Sequence, residues 1–323
     1  MKKRVSVGFL VFFIIACCLM AAALATSVLS GEGEDGYLVD MAADNAENDQ
    51  IGSEVQVLDT PSQGGRADQN APDVRWTYPV RLTALYSPFN ILVNRDNKVD
   101  EKYGSDDSAK TRASIKRASS AAIYMNRTAE IALAEMFETA LEEGIRLFLK
   151  SGHRSYGTQK TIYENRMKSE GKDDGVVAPA GASEHQTGLA CDILNQDYAG
   201  RPRMTPDFSQ TKEAQWMKEY CADFGFILRY PEDKQEITKT IFEPWHFRYV
   251  GREVASYVMR TEMSFEEFWV EWQAEVDAFK ARGGDVEAWM KHEADRINRE
   301  SEPESHPLDE YGNDGDQEIS LVF

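Results

Sequence analysis

The sequence predicts an α+β domain, on three observations. Helical and strand-like periodicities are mixed without regular alternation, no internal repeat recurs, and acidic, weakly hydrophobic stretches flank the patterned part. The chain has 323 residues and a formal charge of -19, of which residues 31–75 and 300–323 contribute -9 and -8. The remainder is nearly neutral and carries no basic stripe, which excludes nucleic acid as an expected partner. Both flanking stretches are rich in Gly, Ser, Asn and Asp with few aromatics, so they cannot bury enough apolar surface to offset the entropy of ordering. A disordered acidic linker is expected over 31–75, a single domain with a helical C-terminal extension over 76–298, and a disordered acidic tail over 299–323.

The first element, residues 1–30, reads as an export signal or membrane anchor. Lys2, Lys3 and Arg4 precede an uncharged run from Val5 to Ala25. Cleavage after Ala23-Leu24-Ala25, lipidation at Cys17 and retention as a span compete. The run exceeds the about 7 to 15 residues of a cleaved signal core and suits a span of about 20, which favours an uncleaved anchor. Lipidation ranks last, because Cys18-Leu19-Met20 continues the apolar run. The expected location is extracytoplasmic and anchored to the cell membrane, or secreted if the segment is cleaved. A flexible linker of some fifty residues would reach about 35 to 45 Å from such an anchor.

Within the domain, Trp76 to Tyr103 contains strand-like runs, among them Ile91-Leu92-Val93 before the turn formers Asn94 to Asn97, and is expected to wrap the core. Leu133, Phe137, Ala140 and Leu141 recur at helical spacing between Thr128, a capping residue, and Glu143, with Gly144 beyond. Ile145, Leu147 and Leu149 then alternate as a strand leading into Ser151-Gly152-His153-Arg154. Helices are expected from Ser155 to about Lys168 and from Thr211 to Phe224, with a core strand over Gly188–Leu194 between them. Trp245, Phe247 and Tyr249 alternate within Ile237–Val250, a strand in which Pro244 argues for an edge or a bulge. Phe265 to about Asn298 reads as one helix with Phe268, Trp269, Trp272 and Val276 on one side. Cys191 and Cys221 can pair in an oxidising compartment or serve as two small buried apolar residues; the second reading is preferred because each lies in an apolar-patterned element.

Of five histidines, His292 and His306 fall in the terminal helix and tail, leaving His153, His185 and His246. His185 and Asp192 are seven residues apart across a glycine-bearing loop and the start of a strand, a spacing that can bring both to one ion. Glu243 precedes His246 by three residues, and Pro244 can break the strand so that both reach one site. Two histidines and a carboxylate leave a fourth zinc position open for water, as a catalytic site requires. A second carboxylate that is not a ligand can then act as base, for which Glu243 is the candidate. Arg154 can stabilise an oxyanion or hold a substrate carboxylate. By spacing alone, a zinc site and ordinary buried histidines bonded to nearby acids both remain open.

The strings Ser151-Gly-His153-Arg154-Ser155, Ser183-Glu-His185-Gln-Thr-Gly-Leu-Ala-Cys-Asp192, Phe226-Ile-Leu-Arg229-Tyr-Pro and Glu243-Pro-Trp-His246-Phe-Arg-Tyr-Val together resemble the VanY-type D-alanyl-D-alanine carboxypeptidases. That group is related to lysostaphin-like enzymes and hedgehog signalling domains. The resemblance runs from about Ile91 to Trp272. It implies a small antiparallel sheet flanked by helices, one Zn2+ ion held by His185, Asp192 and His246, Glu243 as base and Arg154 assisting the substrate. It also implies that Gln159 and Ser183 line the substrate pocket and that the partners are peptidoglycan stem peptides, met by a monomer. The family usually has Tyr where His153 stands, and aromatic packing is the preferred reading of that exchange. Trp245 is expected to wall the site, and Arg229 and Arg248 to pair with acids without chemistry of their own.

Rival readings are a serine hydrolase using Ser183, His185 and Asp192, weakened by the lack of a nucleophile elbow at Ser183, and a wall-binding module without catalysis. Within the enzyme reading, D,D-carboxypeptidase action on pentapeptides competes with L,D-carboxypeptidase action on tetrapeptides.

Overall fold

The computed structural model describes residues 71–104, 108–173 and 175–301. The N-terminal segment, most of the acidic linker and nearly all of the acidic tail expected from the sequence lie outside the described residues. Among the described residues, no helix is long and apolar enough to cross a membrane.

The described residues open with a short helix α1 (Leu82–Leu85), then pair strands β1 (Ser108–Lys110) and β2 (Tyr124–Asn126) antiparallel. Helix α2 (Arg127–Glu142) follows at once, because the Asn126 side chain accepts from the Thr128 and Ala129 amides. The cap is thus Asn126 rather than the expected Thr128. Strand β3 (Phe148–Ser151) leads to helix α3 (Tyr156–Glu170), capped by Ser155 and stopped at Gly171 in the left-handed region. Then come β4 (Ala190–Leu194), the short α4 (Gln196–Ala199), α5 (Lys212–Tyr220), β5 (Phe226–Leu228), the short α6 (Gln235–Thr238) and β6 (His246–Tyr249). Three C-terminal helices close the order: α7 (Arg252–Arg260), α8 (Phe265–Ala281) and α9 (Val286–Ser301). This is the α+β architecture that the mixed periodicities predict.

Strands β3, β4, β6 and β5 form one antiparallel sheet in that order. Every residue of β4, β5 and β6 is buried, so the sheet is covered on both faces. One face packs Cys191, Ile193, Phe226, Leu228, Phe247 and Tyr249 into a core shared with Leu133, Phe137 and Ala140 of α2 and Trp216 and Met217 of α5. Side chains alternate along a strand, so Asp192, His246 and Arg248 point the other way. The register makes this a functional row. Asp192 sits directly across from His246, and Ser151 from Asp192 beyond an irregularity between Leu149 and Ser151 that re-aims the end of β3.

A second core lies on α7 and α8. It gathers Val80, Leu82, Leu85 and Leu92 with Val254, Val258, Phe265, Phe268, Trp272, Val276 and Phe279. The stretch from Val80 to Leu92 thus contributes to a core rather than only wrapping one. No strand forms at Ile91–Val93. The Phe89 and Ile91 carbonyls accept from the Arg248 guanidinium instead, so a side chain satisfies backbone that a ladder would otherwise have to pair.

Two further expectations are corrected. Pro244 precedes β6 rather than interrupting it, and β6 is internal, flanked by β4 and β5. The expected single helix from Phe265 is two, broken at Gly283 and Gly284, where Gly283 is left-handed and a Cβ on Gly284 would meet the Phe279 ring at 2.5 Å. Cys191 and Cys221 are both buried and free, in keeping with the apolar reading.

The C-terminal extension is tied to the N-terminal segment through Glu293. Its buried carboxylate accepts from the Leu82 and Thr83 amides at the start of α1, from the Thr83 hydroxyl and from the Trp289 indole. Glu293→Ala should therefore lower the unfolding free energy by about 1 to 3 kcal/mol, the cost of orphaned buried donors. Urea denaturation checks this, and a loss under 0.5 kcal/mol would contradict the assigned role.

Candidate metal centre

The loop before β4 is held on three sides by backbone. Val99 N–H donates to Gly181 O, Arg154 N–H to His185 O, and Asn126 N–H to Gly188 O. Gly181 and Gly188 are both left-handed, and a Cβ at either would lie 2.6 Å from Val99 O or 2.8 Å from Asn126 N. Only glycine permits this approach. Between them a 3-10 turn over Glu184–Thr187 turns His185 inward, where its Nδ1 lies 2.7 Å from Gly152 O. A carbonyl only accepts, so Nδ1 carries the proton and Nε2 is the nitrogen free to ligate.

His246 arrives from the first position of β6. A β-turn closes through His246 N–H to Glu243 O at 3.0 Å, with Pro244 at the second turn position that proline favours. This turn, rather than a broken strand, brings Glu243 and His246 to one place. His246 Nδ1 is 3.2 Å from Asp192 Oδ1 and 3.6 Å from Glu243 Oε2. His185 Nε2 is 3.4 Å from Asp192 Oδ2. One ligand atom from each of His185, Asp192 and His246 lies within 4.8 Å of the others, and all three residues are buried.

The charges are strongly coupled. Burial alone would raise the Asp192 carboxyl, but the two histidines outweigh it and hold it well below the usual range. Burial lowers His185, with Arg154 and His246 adding to the effect against Asp192. For His246, burial works against the cation, yet the facing carboxylates of Asp192 and Glu184 lift it to about 9. Burial raises Glu243 to about 7, Asp192 adds to this, and His246 and Arg154 oppose it.

The remaining expected residues fall around this cluster. The Arg154 guanidinium donates to Gln159 Oε1 at 2.7 Å and to Ser151 Oγ at 3.3 Å, and Gln159 Nε2 donates to Ala178 O. Gln159 is only 1% exposed, with both ends of its amide engaged, so it holds Arg154 rather than presenting itself to a pocket. Ser183 immediately precedes the Glu184 turn and is buried. Trp245 belongs to the first core and is no open wall. His153 is half-buried, with its imidazole pKa lowered by burial.

Sequence reasoning missed what stands behind the ligands. Glu184, beside His185, has a fully buried carboxylate bonded to Arg229 and Arg248. The expectation that these arginines pair with acids holds, but the acid is one residue from the candidate ligand His185. Tyr230 packs its ring 4.8 Å from that of His246, under the Arg229 cation. The sequence signal was Arg229 and Arg248 in otherwise apolar stretches; Glu184 lies among polar residues and gave none.

Two imidazoles and a carboxylate thus converge beside a buried carboxyl and a held guanidinium on an α+β domain, a donor set that could hold one metal ion. The family described as VanY: D-alanyl-D-alanine carboxypeptidase matches residues 122–252. The chain belongs to this family. It is 39% identical over 132 residues to the bifunctional D-Ala-D-Ala dipeptidase and D-Ala-D-Ala carboxypeptidase VanXYC of Enterococcus gallinarum, covering 40% of this chain and 68% of that protein. It is 40% identical over 147 residues to the Bacillus subtilis (strain 168) protein YodJ, covering 45% of this chain and 53% of the relative. The chain thus spans about half of YodJ and two thirds of VanXYC. A solved structure of the LdcB LD-carboxypeptidase is 31% identical, with a TM-score of 0.53, covering 62% of this chain and 95% of that one. The matched residues 122–252 contain the metal centre and most of the first core, whereas α8 and α9 lie beyond them.

Proposed function

We propose that this protein is a zinc-dependent carboxypeptidase that releases the terminal D-alanine from peptidoglycan stem peptides. The observation that carries the reading is the buried His185, Asp192 and His246 cluster with Glu243 Oε2 3.6 Å from His246 Nδ1. The donor set fits one zinc ion: two imidazoles and one carboxylate suit it, and a fourth position is left for water. His185 is already in the required tautomer, and all three side chains are buried.

Zinc bound there supplies a polarising charge and a water of lowered pKa. Glu243, raised by burial into the range where it can both take and give a proton at neutral pH, removes the proton of the attacking water and delivers it to the leaving amine. The water oxygen bonds to the carbonyl carbon, the amide C–N bond breaks, the shortened stem is left with a new carboxylate, and free alanine leaves with that proton. Arg154, fixed by Gln159 and Ser151, pairs with the substrate's terminal carboxylate, which selects cleavage at a chain end. His185 and Asp192 keep their positions because Gly152 O and the β4–β6 register hold them.

The proposal extends to placement. The Lys2-Lys3-Arg4 and Val5–Ala25 order supports a membrane anchor over 1–30 and an acidic linker over 31–75, with the enzyme domain over 76–298 working outside the cytoplasm as a monomer. The likeness to LdcB supports a second reading, an L,D-carboxypeptidase acting on tetrapeptide stems.

Muropeptides with pentapeptide and tetrapeptide stems, incubated with the protein with and without a chelator and analysed by mass spectrometry, separate these readings. Chelator-sensitive loss of one alanine from the pentapeptide is expected. Loss only from the tetrapeptide would establish L,D specificity. Loss from neither, with stoichiometric zinc bound, would overturn the carboxypeptidase assignment in favour of a binding module.

A further inference from the structure

We propose that Glu184 is a positioning residue for the metal centre: its buried carboxylate fixes the tautomer and orientation of His246 from behind, and arginines braced by the C-terminal extension hold that carboxylate in place. This inference rests on the reading of His246 as a metal ligand.

The observation is a pair of orphans. Among the described buried side-chain atoms, Glu184 Oε2 and His246 Nε2 each have no hydrogen-bond partner, and they face each other at 3.7 Å. Leaving a buried polar atom unpaired is costly, so two such atoms in facing positions signal a bond that closes in the working state. A shift of about 0.5 to 0.8 Å brings them into hydrogen-bond range. A carboxylate anion only accepts, so closure requires the proton on His246 Nε2. The lone pair is then on Nδ1, the nitrogen that faces Asp192 and Glu243. The two ligating histidines are thus set by different acceptors: Gly152 O for His185, Glu184 for His246.

The brace explains why Glu184 stays in place and ionised. Its Oε1 accepts from Arg229 Nε at 2.7 Å and Arg248 Nη1 at 2.8 Å. Arg229 in turn makes a two-point pair with Glu266 at 2.8 and 2.6 Å, and Arg248 donates to the Phe89 and Ile91 carbonyls. Two acids and two guanidinium groups leave the buried set neutral. Glu266 is on α8, and Phe89 and Ile91 lie in the N-terminal segment, all outside the family-matched residues. Buried ion networks of this kind add little net stability over apolar packing, so orientation is the physical gain they offer.

Glu184→Gln tests this. The arginines demand an acceptor, so the amide oxygen stays on their side and the amide nitrogen turns to His246 Nε2, inverting the tautomer and placing a proton on Nδ1. Zinc affinity, measured by competition with a chromophoric chelator, is expected to fall about 10- to 100-fold. Urea melts of the metal-free proteins establish that the variant is folded. Nitrogen-15 NMR of the histidines in the zinc-loaded wild type should show the His246 proton on Nε2, a readout that a purely structural network would not dictate. Zinc affinity within twofold of wild type in folded Glu184→Gln would overturn the inference, as would a proton on His246 Nδ1 in the wild type. The NMR result decides the matter alone if the variant does not fold. If wild type binds no zinc, or if His246→Ala binds it as well as wild type, the metal-ligand reading itself fails, an outcome distinct from the others.

Discussion

Glu243→Gln should lower kcat by about 10²- to 10⁴-fold while zinc stays bound and the fold is unchanged, the range for removing a positioned proton-transfer group. Gln keeps the shape of Glu and can still hydrogen-bond, so packing in the Glu243-Pro244-Trp245-His246 turn is retained. It cannot accept a proton from water at neutral pH. Because Glu243 lies 3.6 Å from His246 Nδ1 yet is not in the three-residue ligand cluster, its loss separates chemistry from metal retention. The pH profile of the wild type carries the same signature. Burial lifts this carboxyl to about 7, and a cation bound beside it would pull it back down. The acid limb of kcat/KM should therefore fall between the ordinary carboxylate range and about 7, with activity lost as pH drops through it because the base becomes protonated. A variant with metal bound and kcat within threefold of wild type would remove Glu243 from the mechanism.

Arg248→Met should cost about 3 to 5 kcal/mol of stability, the expected result of breaking a buried charge pair from one side. The guanidinium is fully buried and donates to Glu184 Oε1, to the Phe89 and Ile91 carbonyls and to Tyr249 O. Methionine fills much of the volume but satisfies none of the four. Total stabilities of domains run about 5 to 15 kcal/mol, so this loss is a large fraction and shows directly in the urea midpoint. The contrast is Arg252→Ala, whose partner Glu135 and own side chain are both more than half exposed; it should change stability by under about 1 kcal/mol. Equal effects of the two substitutions would mean that the buried network contributes nothing particular.

The linear sequence carried the elements well where local chemistry decides them. The i, i+3, i+4 spacing of α2, the Ser155 cap of α3 and the largely apolar β4, interrupted only by Asp192, are each set by neighbours a few residues apart. The chemically suggestive pairs were also visible, since His185 with Asp192 and Glu243 with His246 are close in the chain. Elements that answer to distant partners were not. Ile91–Val93 looks like a strand because it is apolar and β-branched, but its neighbouring carbonyls pair with Arg248, more than 150 residues away. Pro244 looked like a defect inside a strand because sequence does not show where a turn ends and a strand begins.

By itself, then, the sequence determined the α+β class, the central part of most helices, the flanking acidic stretches and the residue types able to bind a metal and move a proton, since all of these depend on composition and short-range spacing. The tertiary structure alone decided which nitrogen of each histidine faces the cluster, that Gln159 serves Arg154, and that Glu184, Arg229, Arg248 and Glu266 form one buried neutral set. Those are long-range outcomes. The Asp192–His246 register, the left-handed glycines that let backbones touch, and the pairing of charges brought together from the loop, the sheet and α8 arise only when distant segments pack. A charged residue in an apolar stretch announces that it has a partner, while only the fold selects which one.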